Sequence, residues 1–422
     1  MSPPPPRRIA VVISLPKTFR ALEAPRYRRY FLGQAVSILG TWIQSVAMSW
    51  LVYRLTGSAA LLGVTAFLTQ APQLVVSPLA GLIIDRFDRR RLFLAVQALM
   101  ITQAAALAVL TALDMVQPWH LVALAGVFGV LNSVDTPLRQ TMLSQLVDDR
   151  SHLRNAIALN ASLFNSARFV GPPLAGLILA LTSEAACFAI NAASFLGVAA
   201  AVARLPSPPR PATSGGLMET LREGIGFARS SLPIRVLLAS VAAINLTGSA
   251  YLVLMPVLAK EVFGGDARTL GWLLGATGGG ALAATMLVAS RQGIPPLLRL
   301  VLAGWGISTL GLAALAATSR LDLALVAAFG LGLGISSVNV STNAILQSLT
   351  PDRIRGRVIS YFTALRFGMD ALGGLAAGAL AAAWGTGLAL GLEAVLVLAG
   401  AGWMGWHSAD LRRAVAAGED HG

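Results

Sequence analysis

Apolar runs of roughly 20 residues alternate with short polar breaks along nearly the whole chain. A helix needs about 20 such residues to cross a hydrocarbon layer about 30 Å thick. The pattern therefore predicts twelve membrane-spanning helices, over 30–54, 60–84, 92–113, 119–147, 155–181, 184–204, 233–259, 268–290, 294–317, 321–347, 357–384 and 386–406. Spans 4, 5 and 10 are expected to run on beyond the membrane on the cytoplasmic side. The breaks carry turn chemistry: Thr56-Gly57-Ser58, Gln117-Pro118, Thr182-Ser183, Gly264-Gly265-Asp266, Thr318-Ser319 and Gly385-Thr386-Gly387.

The longest polar break, 205–232, divides the chain in two. Its second part, Leu217 to Arg229, sets apolar residues at helical spacing. That pattern fits an amphipathic helix at the membrane surface or an ordered linker turn. The two sides of the break repeat. At an offset of 203, Gly129, Ser133, Leu143, Leu146, Asp149, Arg150 and Arg154 correspond to Gly332, Ser336, Leu346, Leu349, Asp352, Arg353 and Arg357. The expected fold is an all-α membrane protein of twelve transmembrane helices in two six-helix pseudo-repeats, with a binding site between them near mid-membrane. The domains are then a tail at 1–29, a half at 30–204, a linker at 205–232, a second half at 233–406 and a tail at 407–422.

Composition agrees. The 422 residues are 55% hydrophobic and 12% charged, and the mean hydropathy is +0.70. Soluble domains carry about 25% charged residues. The net charge of +13 would suggest nucleic acid in a soluble protein. Here the arginines sit in short breaks, among them Arg7, Arg8, Arg20, Arg86, Arg150, Arg222, Arg291, Arg355 and Arg412, almost all at one end of the predicted bundle. The positive-inside rule then makes both termini cytoplasmic and leaves no reason to invoke nucleic acid. The single cysteine, Cys187, lies in an apolar run and excludes a disulfide within the chain.

The densest charge is Gly81-Leu-Ile-Ile-Asp85-Arg86-Phe-Asp88-Arg89-Arg90-Arg91, between spans 2 and 3. Its G-x-x-x-D-R-x-x-R-R spacing resembles the loop 2–3 motif of the major facilitator superfamily, with Asp88 where that family usually has glycine. The D-R-x-x-R-R-R form, Arg150-x-x-x-Arg154-Asn155-Ala156 and Pro351-Asp352-Arg353-x-Arg355-Gly356-Arg357-Val358 are similar to the branch containing enterobactin-type siderophore and macrolide exporters. Arg168-Phe-Val-Gly171-Pro172-Pro173-Leu-Ala-Gly176 in span 5 resembles the Gly-Pro helix motif of exporters, without its full set of glycines. The resemblance covers spans 1–12. It implies a monomeric transporter in a bacterial cytoplasmic (inner) membrane, taking an amphipathic small molecule, siderophore or drug-like, and coupled to protons. Export is the direction it implies; uptake or lipid translocation on the same fold is the alternative.

The loop suggests a conformational latch. A carboxylate at a helix end can accept from an arginine and from a neighbouring helix N-terminus. Asp85 is assigned that role with Gly81, Arg86, Arg89, Arg90 and, on span 4, Arg139 as its partner; the arginine run otherwise sets topology. Ionisable groups inside spans form a second constellation, because each costs about 3 kcal/mol on insertion scales unless paired or wetted. These are Asp135, Arg168, Arg366, Asp370 and Glu393, with Arg139. Asp135 and Arg139 stand four apart on one face, as do Arg366 and Asp370. Each pair either neutralises itself or moves a proton: burial raises a carboxylate's pKa, a nearby arginine lowers it, and moving the arginine would switch it. Asp370 and Asp135 lead as proton carriers, then Glu393. Candidates for the substrate cavity are Gln34, Trp42, Gln44, Gln70, Gln73, Asn165, Asn245, Tyr251, Asn339 and Asn343, each of which could equally make an interhelical hydrogen bond.

A membrane enzyme lacks support. The four histidines, His120, His152, His407 and His421, fall at span ends, in loops or in the tail, and no zinc-protease helix, Walker A loop or nucleophile elbow occurs. No cofactor or metal is expected. A transport-dead sensor would have lost the charged pairs, which are present.

Overall fold

The computed structural model describes residues 17–143, 146, 150–203, 231–248 and 250–419. Among them are twelve helices long and apolar enough to cross a membrane. Large apolar side chains on their outer faces, such as Leu310, Val326 and Trp406, are exposed and suit a hydrocarbon surround. The amphipathic segment 217–229 and the charge pair Asp149-Arg150 with its loop fall wholly or partly outside the described residues.

The helix ends follow the turn residues. Gly57 takes a left-handed conformation (φ 59°) and its N–H closes on Tyr53 at the end of span 1, Pro25–Thr56. One residue on, the Ser58 hydroxyl accepts from the Leu61 N–H at 3.2 Å and starts span 2. Asp266 caps span 8, Ala267–Ala289, by accepting from the N–H groups of Arg268 and Thr269.

Two spans depart from a regular α-helix, which hydropathy did not foretell. Span 2 is a helix at Ala59–Gln70 followed by a second at Pro72–Arg86, because Pro72 has no N–H to continue the ladder. Span 7 runs Leu232–Gly248, Ala250–Val257 and then a π-turn, Leu258–Val262, just after Pro256. Span 12 also differs, since its helix continues to Glu419 instead of ending at 406. No breaker interrupts it, and Arg412 and Arg413 bond to Ser408 and Asp410 one turn back.

Spans 1–6 pack among themselves, notably span 1 on spans 5 and 6 and span 3 on span 6. Spans 7–12 do the same, with span 10 against spans 8 and 9 and span 12 against spans 7 and 9. The internal repeat has a physical counterpart. Gly129 of span 4 lies against the span 2 backbone, where a Cβ would stand 2.3 Å from the Leu68 oxygen; Gly332 of span 10 lies likewise against span 8, 1.9 Å from the Thr277 oxygen.

The two bundles meet chiefly where span 2 crosses span 11 and span 5 crosses span 8. Spans 5 and 8 approach most closely part-way along, where a Cβ on Gly278 would stand 2.4 Å from the Arg168 oxygen, and both crossings stay tight to the end of the molecule away from the described termini. There a Cβ on Gly378 would stand 2.5 Å from the Ala59 oxygen and 2.9 Å from Gly63 Cα. A Cβ on Gly271 would stand 2.7 Å from the Pro172 oxygen and 3.0 Å from Gly176 Cα. The Tyr53 hydroxyl adds a bond to Glu261 at 3.3 Å, and Lys260 sits over the Tyr53 ring at 5.6 Å. The halves are closed at this end by backbone-to-backbone contact.

Candidate functional site

One polar cluster lies inside the first bundle. Asp135 and Arg139 of span 4, Pro118–Leu143, form a buried ion pair, at 6% and 8% side-chain exposure. Gln97 of span 3, Arg89–Ala112, donates to Asp135 Oδ1 at 2.7 Å, and Arg139 Nη2 donates to the Ser37 hydroxyl of span 1 at 3.3 Å. The Phe93 ring lies 5.5 Å from the guanidinium carbon. Arg139 is thus engaged within its own bundle, and its described partners are on spans 1, 3 and 4. The side chain of its expected latch partner, Asp85, is outside the described residues. A second network, Asn191 Nδ2 to Gln44 Oε1 at 2.8 Å, Gln44 to Gln103 at 3.2 Å and Gln103 to the Leu124 carbonyl at 3.1 Å, ties spans 6, 1, 3 and 4 together.

Gln44 and Gln34 are both buried in the first bundle, Gln44 within that network. Trp42 is held against span 5, filling the space that Gly171 leaves open. Asn165 donates to the Ala161 carbonyl of its own helix, and Gln73 is half-buried. Glu393 is buried in span 12, its Oε2 without a hydrogen-bond partner, and that span packs against spans 7, 9 and 11.

The other polar cluster lies between the bundles. Gln70, at the break of span 2, donates to Asp370 Oδ2 of span 11, Asp352–Trp384, at 2.7 Å across 300 residues of sequence. Arg366 lies one turn before Asp370 and within electrostatic reach of both Asp370 and Arg168 of span 5. Tyr251 of span 7 is buried within reach of Arg168 and Asp370. Four spans from both halves thus converge on one half-buried group. Beside it, a cavity of about 220 Å³ is lined by Asn339, Val340, Asn343, Ala344 and Gln347 of span 10 and by Phe362 and Arg366 of span 11. Asn339 is fixed by a reciprocal amide pair with Asn245 of span 7, at 2.9 and 3.3 Å.

The loop after span 2 has a local logic of its own. Gly81 and Asp85 lie in the helix that ends at Arg86. Asp88 caps span 3, accepting from the Arg91 N–H at 2.9 Å, which explains an aspartate at this position. Arg86 is exposed, Arg89 opens span 3 and the Arg90 guanidinium donates to the Ala203 carbonyl at the end of span 6. Replacing Asp88 by Ala is expected to cost about 0.5–2 kcal/mol, typical of a lost cap, read as a lowered midpoint of thermal unfolding in detergent.

Gln97, Gln103 and Asn191 were not anticipated. The available signal was an amide within an apolar span, which carries no information about its partner.

Twelve spans are thus packed in two bundles, with a charged cluster held where the bundles meet. The model of the family described as transmembrane secretion effector matches residues 17–417, and the chain belongs to that family, within the major facilitator superfamily. It is 26% identical over 357 residues to the staphyloferrin A transporter of Staphylococcus aureus, covering 82% of this chain and 87% of the relative. It is 29% identical over 381 residues to the multidrug efflux pump Tap of Mycolicibacterium fortuitum, covering 85% and 90%. It is 26% identical over 366 residues to the enterobactin exporter of Shigella boydii, covering 85% and 86%. Among solved structures, a bacterial homologue of the human lysosomal transporter Spinster superposes with a TM-score of 0.69 at 12% identity, covering 94% of this chain and 98% of that one. The nucleoside transporter NupG gives 0.65 at 13%, covering 92% and 98%. These two likenesses establish the fold.

Proposed function

We propose that the protein is a proton-coupled secondary transporter working by alternating access, and that it exports an amphipathic small molecule of the siderophore or drug-like class. In this reading it sits as a monomer in a bacterial inner membrane, and the arginine distribution supports both termini being cytoplasmic. The rocking units are the halves 30–204 and 233–406, joined by 205–232. Asp85 with Gly81, Arg86, Arg89 and Arg90 remains the proposed latch at the cytoplasmic end. Arg139 acts there indirectly, through the packing of span 4.

One observation carries the reading: the hydrogen bond from Gln70 to Asp370 across the two halves. A carboxylate bonded to the opposite half, with two guanidiniums nearby, keeps its charge more easily than one left alone in hydrocarbon. Rocking that separates span 2 from span 11 removes the amide and favours protonation of Asp370. Proton binding and movement are then linked in both directions. The names of the relatives support export of siderophores or drugs, and the closed end away from the termini supports an arrangement open toward the cytoplasm.

The test has two steps. Cells with and without the protein are screened for accumulation of siderophores and drugs, and the compound that is moved is then followed in proteoliposomes with an imposed pH gradient. The wild type is expected to move it uphill. Asp370→Asn is expected to lose the gradient-driven component and keep exchange of internal for external compound. Transport indifferent to the gradient in the wild type, or full uphill transport by the variant, would overturn the coupling.

A further inference from the structure

The charged group between the halves does not balance. Arg168 and Arg366 carry two positive charges toward it, and Asp370 supplies one negative charge. Neither guanidinium makes a hydrogen bond or an ion pair among the described residues, in contrast to Arg139, which bonds to Asp135 and Ser37. Tyr251 is neutral and adds no compensation. An excess cation inside a membrane is expensive, faces protein or a water-filled cavity, and marks a pathway for something that neutralises it.

The walls specify the rest of the visitor. Arg366 projects into the cavity of about 220 Å³ with the amides of Asn339, Asn343 and Gln347 beside it. Phe362 and Val340 give it an apolar side, and the Phe367 ring lies 5.2 Å from the Arg366 guanidinium carbon, holding its plane. A planar guanidinium with free donors matches a carboxylate in two-point contact, which an ammonium or a neutral amide cannot supply. The geometry points to a cargo that carries a carboxylate on an apolar body, with the carboxylate docked between Arg366 and Arg168 and the body against Phe362. This rests on the transporter reading and narrows its substrate class. It adds a mechanical condition: the site carries one excess positive charge when empty and none when a monoanion is bound, so loading lowers the electrostatic cost of rocking.

The test needs no knowledge of the natural cargo. Three probes share a naphthalene body small enough for the cavity: 1-naphthylacetate, its neutral amide, and 1-naphthylmethylammonium. Binding to the purified full-length protein in detergent is followed by calorimetry and by ligand-dependent thermal stabilisation. The carboxylate is expected to bind at least tenfold more tightly than either other probe. Arg366→Met and Arg168→Met are each expected to remove that preference, and Arg366→Lys to keep the preference for an anion with weaker affinity. Unliganded melting curves show whether each variant is folded, and Arg366→Lys keeps the test decisive if a methionine variant is not. Equal or tighter binding of the amide or the ammonium, or an unchanged preference in the methionine variants, overturns the proposal. Failure of the transporter reading looks different: the carboxylate binds as described, yet the protein moves nothing across a liposome membrane with or without a gradient.

Discussion

Asp135→Ala is expected to destabilise the first bundle by about 3–5 kcal/mol, the usual cost of removing one partner from a buried ion pair. The carboxylate it deletes accepts from both Arg139 and Gln97. Its loss leaves a guanidinium with side-chain exposure of 8% among Phe93, Ser37 and the walls of spans 1 and 3. An exposure of 8% leaves that charge little contact with water. The measurement is reversible unfolding in mixed micelles, with Arg139→Met and the double variant completing the cycle. The double variant is expected to regain most of the stability, because two apolar side chains replace a neutral pair at little cost. A loss below about 1 kcal/mol in Asp135→Ala would mean that the pair is wet, and the structural role assigned to it would fail. The cycle also separates Asp135 from Asp370: the first acid holds one bundle together, whereas the second bonds across the two.

The second large effect belongs to the closed end. In Gly378→Leu the new Cβ would lie 2.5 Å from the Ala59 oxygen, a backbone atom that cannot turn aside. Overpacking of this kind costs about 1–3 kcal/mol, and all of it falls on the state in which spans 2 and 11 touch. About 2 kcal/mol shifts the ratio of closed to open arrangements roughly thirtyfold. Spin labels at the exposed positions Leu55 and Leu388, near the ends of spans 1 and 12, are expected to move apart in the variant. Transport should fall with that shift, because the cycle then stalls open at this end. Unchanged label distances with normal transport would show that the crossing is not a gate.

Much of the fold was legible in the sequence because a membrane imposes length and polarity on each helix separately. Spans 8, 9 and 10 begin within a residue of where hydropathy put them, and the glycine and serine turns cap the helices they were expected to cap. What hydropathy could not carry was backbone detail. Pro72 and Pro256 sit in apolar runs, and the break and the π-turn near them leave the mean hydropathy almost unchanged. The site was legible only as parts. Asp370, Arg366, Arg168, Gln70 and Tyr251 each stood out as polar groups in apolar helices, yet helical spacing suggested that Asp370 belongs with Arg366. The structure gives Asp370 an amide from the other half instead, a pairing that no local pattern encodes. Gln44 was as conspicuous as Gln70, and only packing distinguishes a sealed core amide from one facing a cleft.

The bond between Gln70 and Asp370 also sets an order of assembly. The polar networks of the first bundle close among spans 1, 3, 4 and 6, so that bundle has its internal partners as soon as span 6 is made. Gln70 has no such completion, because its acceptor lies 300 residues downstream. At roughly 5–20 residues per second of synthesis, the amide waits about 15–60 s for its carboxylate. During that interval the first bundle presents a polar face and the unfilled surfaces at Gly63 and Gly176 to whatever surrounds it. Insertion machinery or lipid must shelter that face, and a chain truncated after the first bundle would expose it permanently.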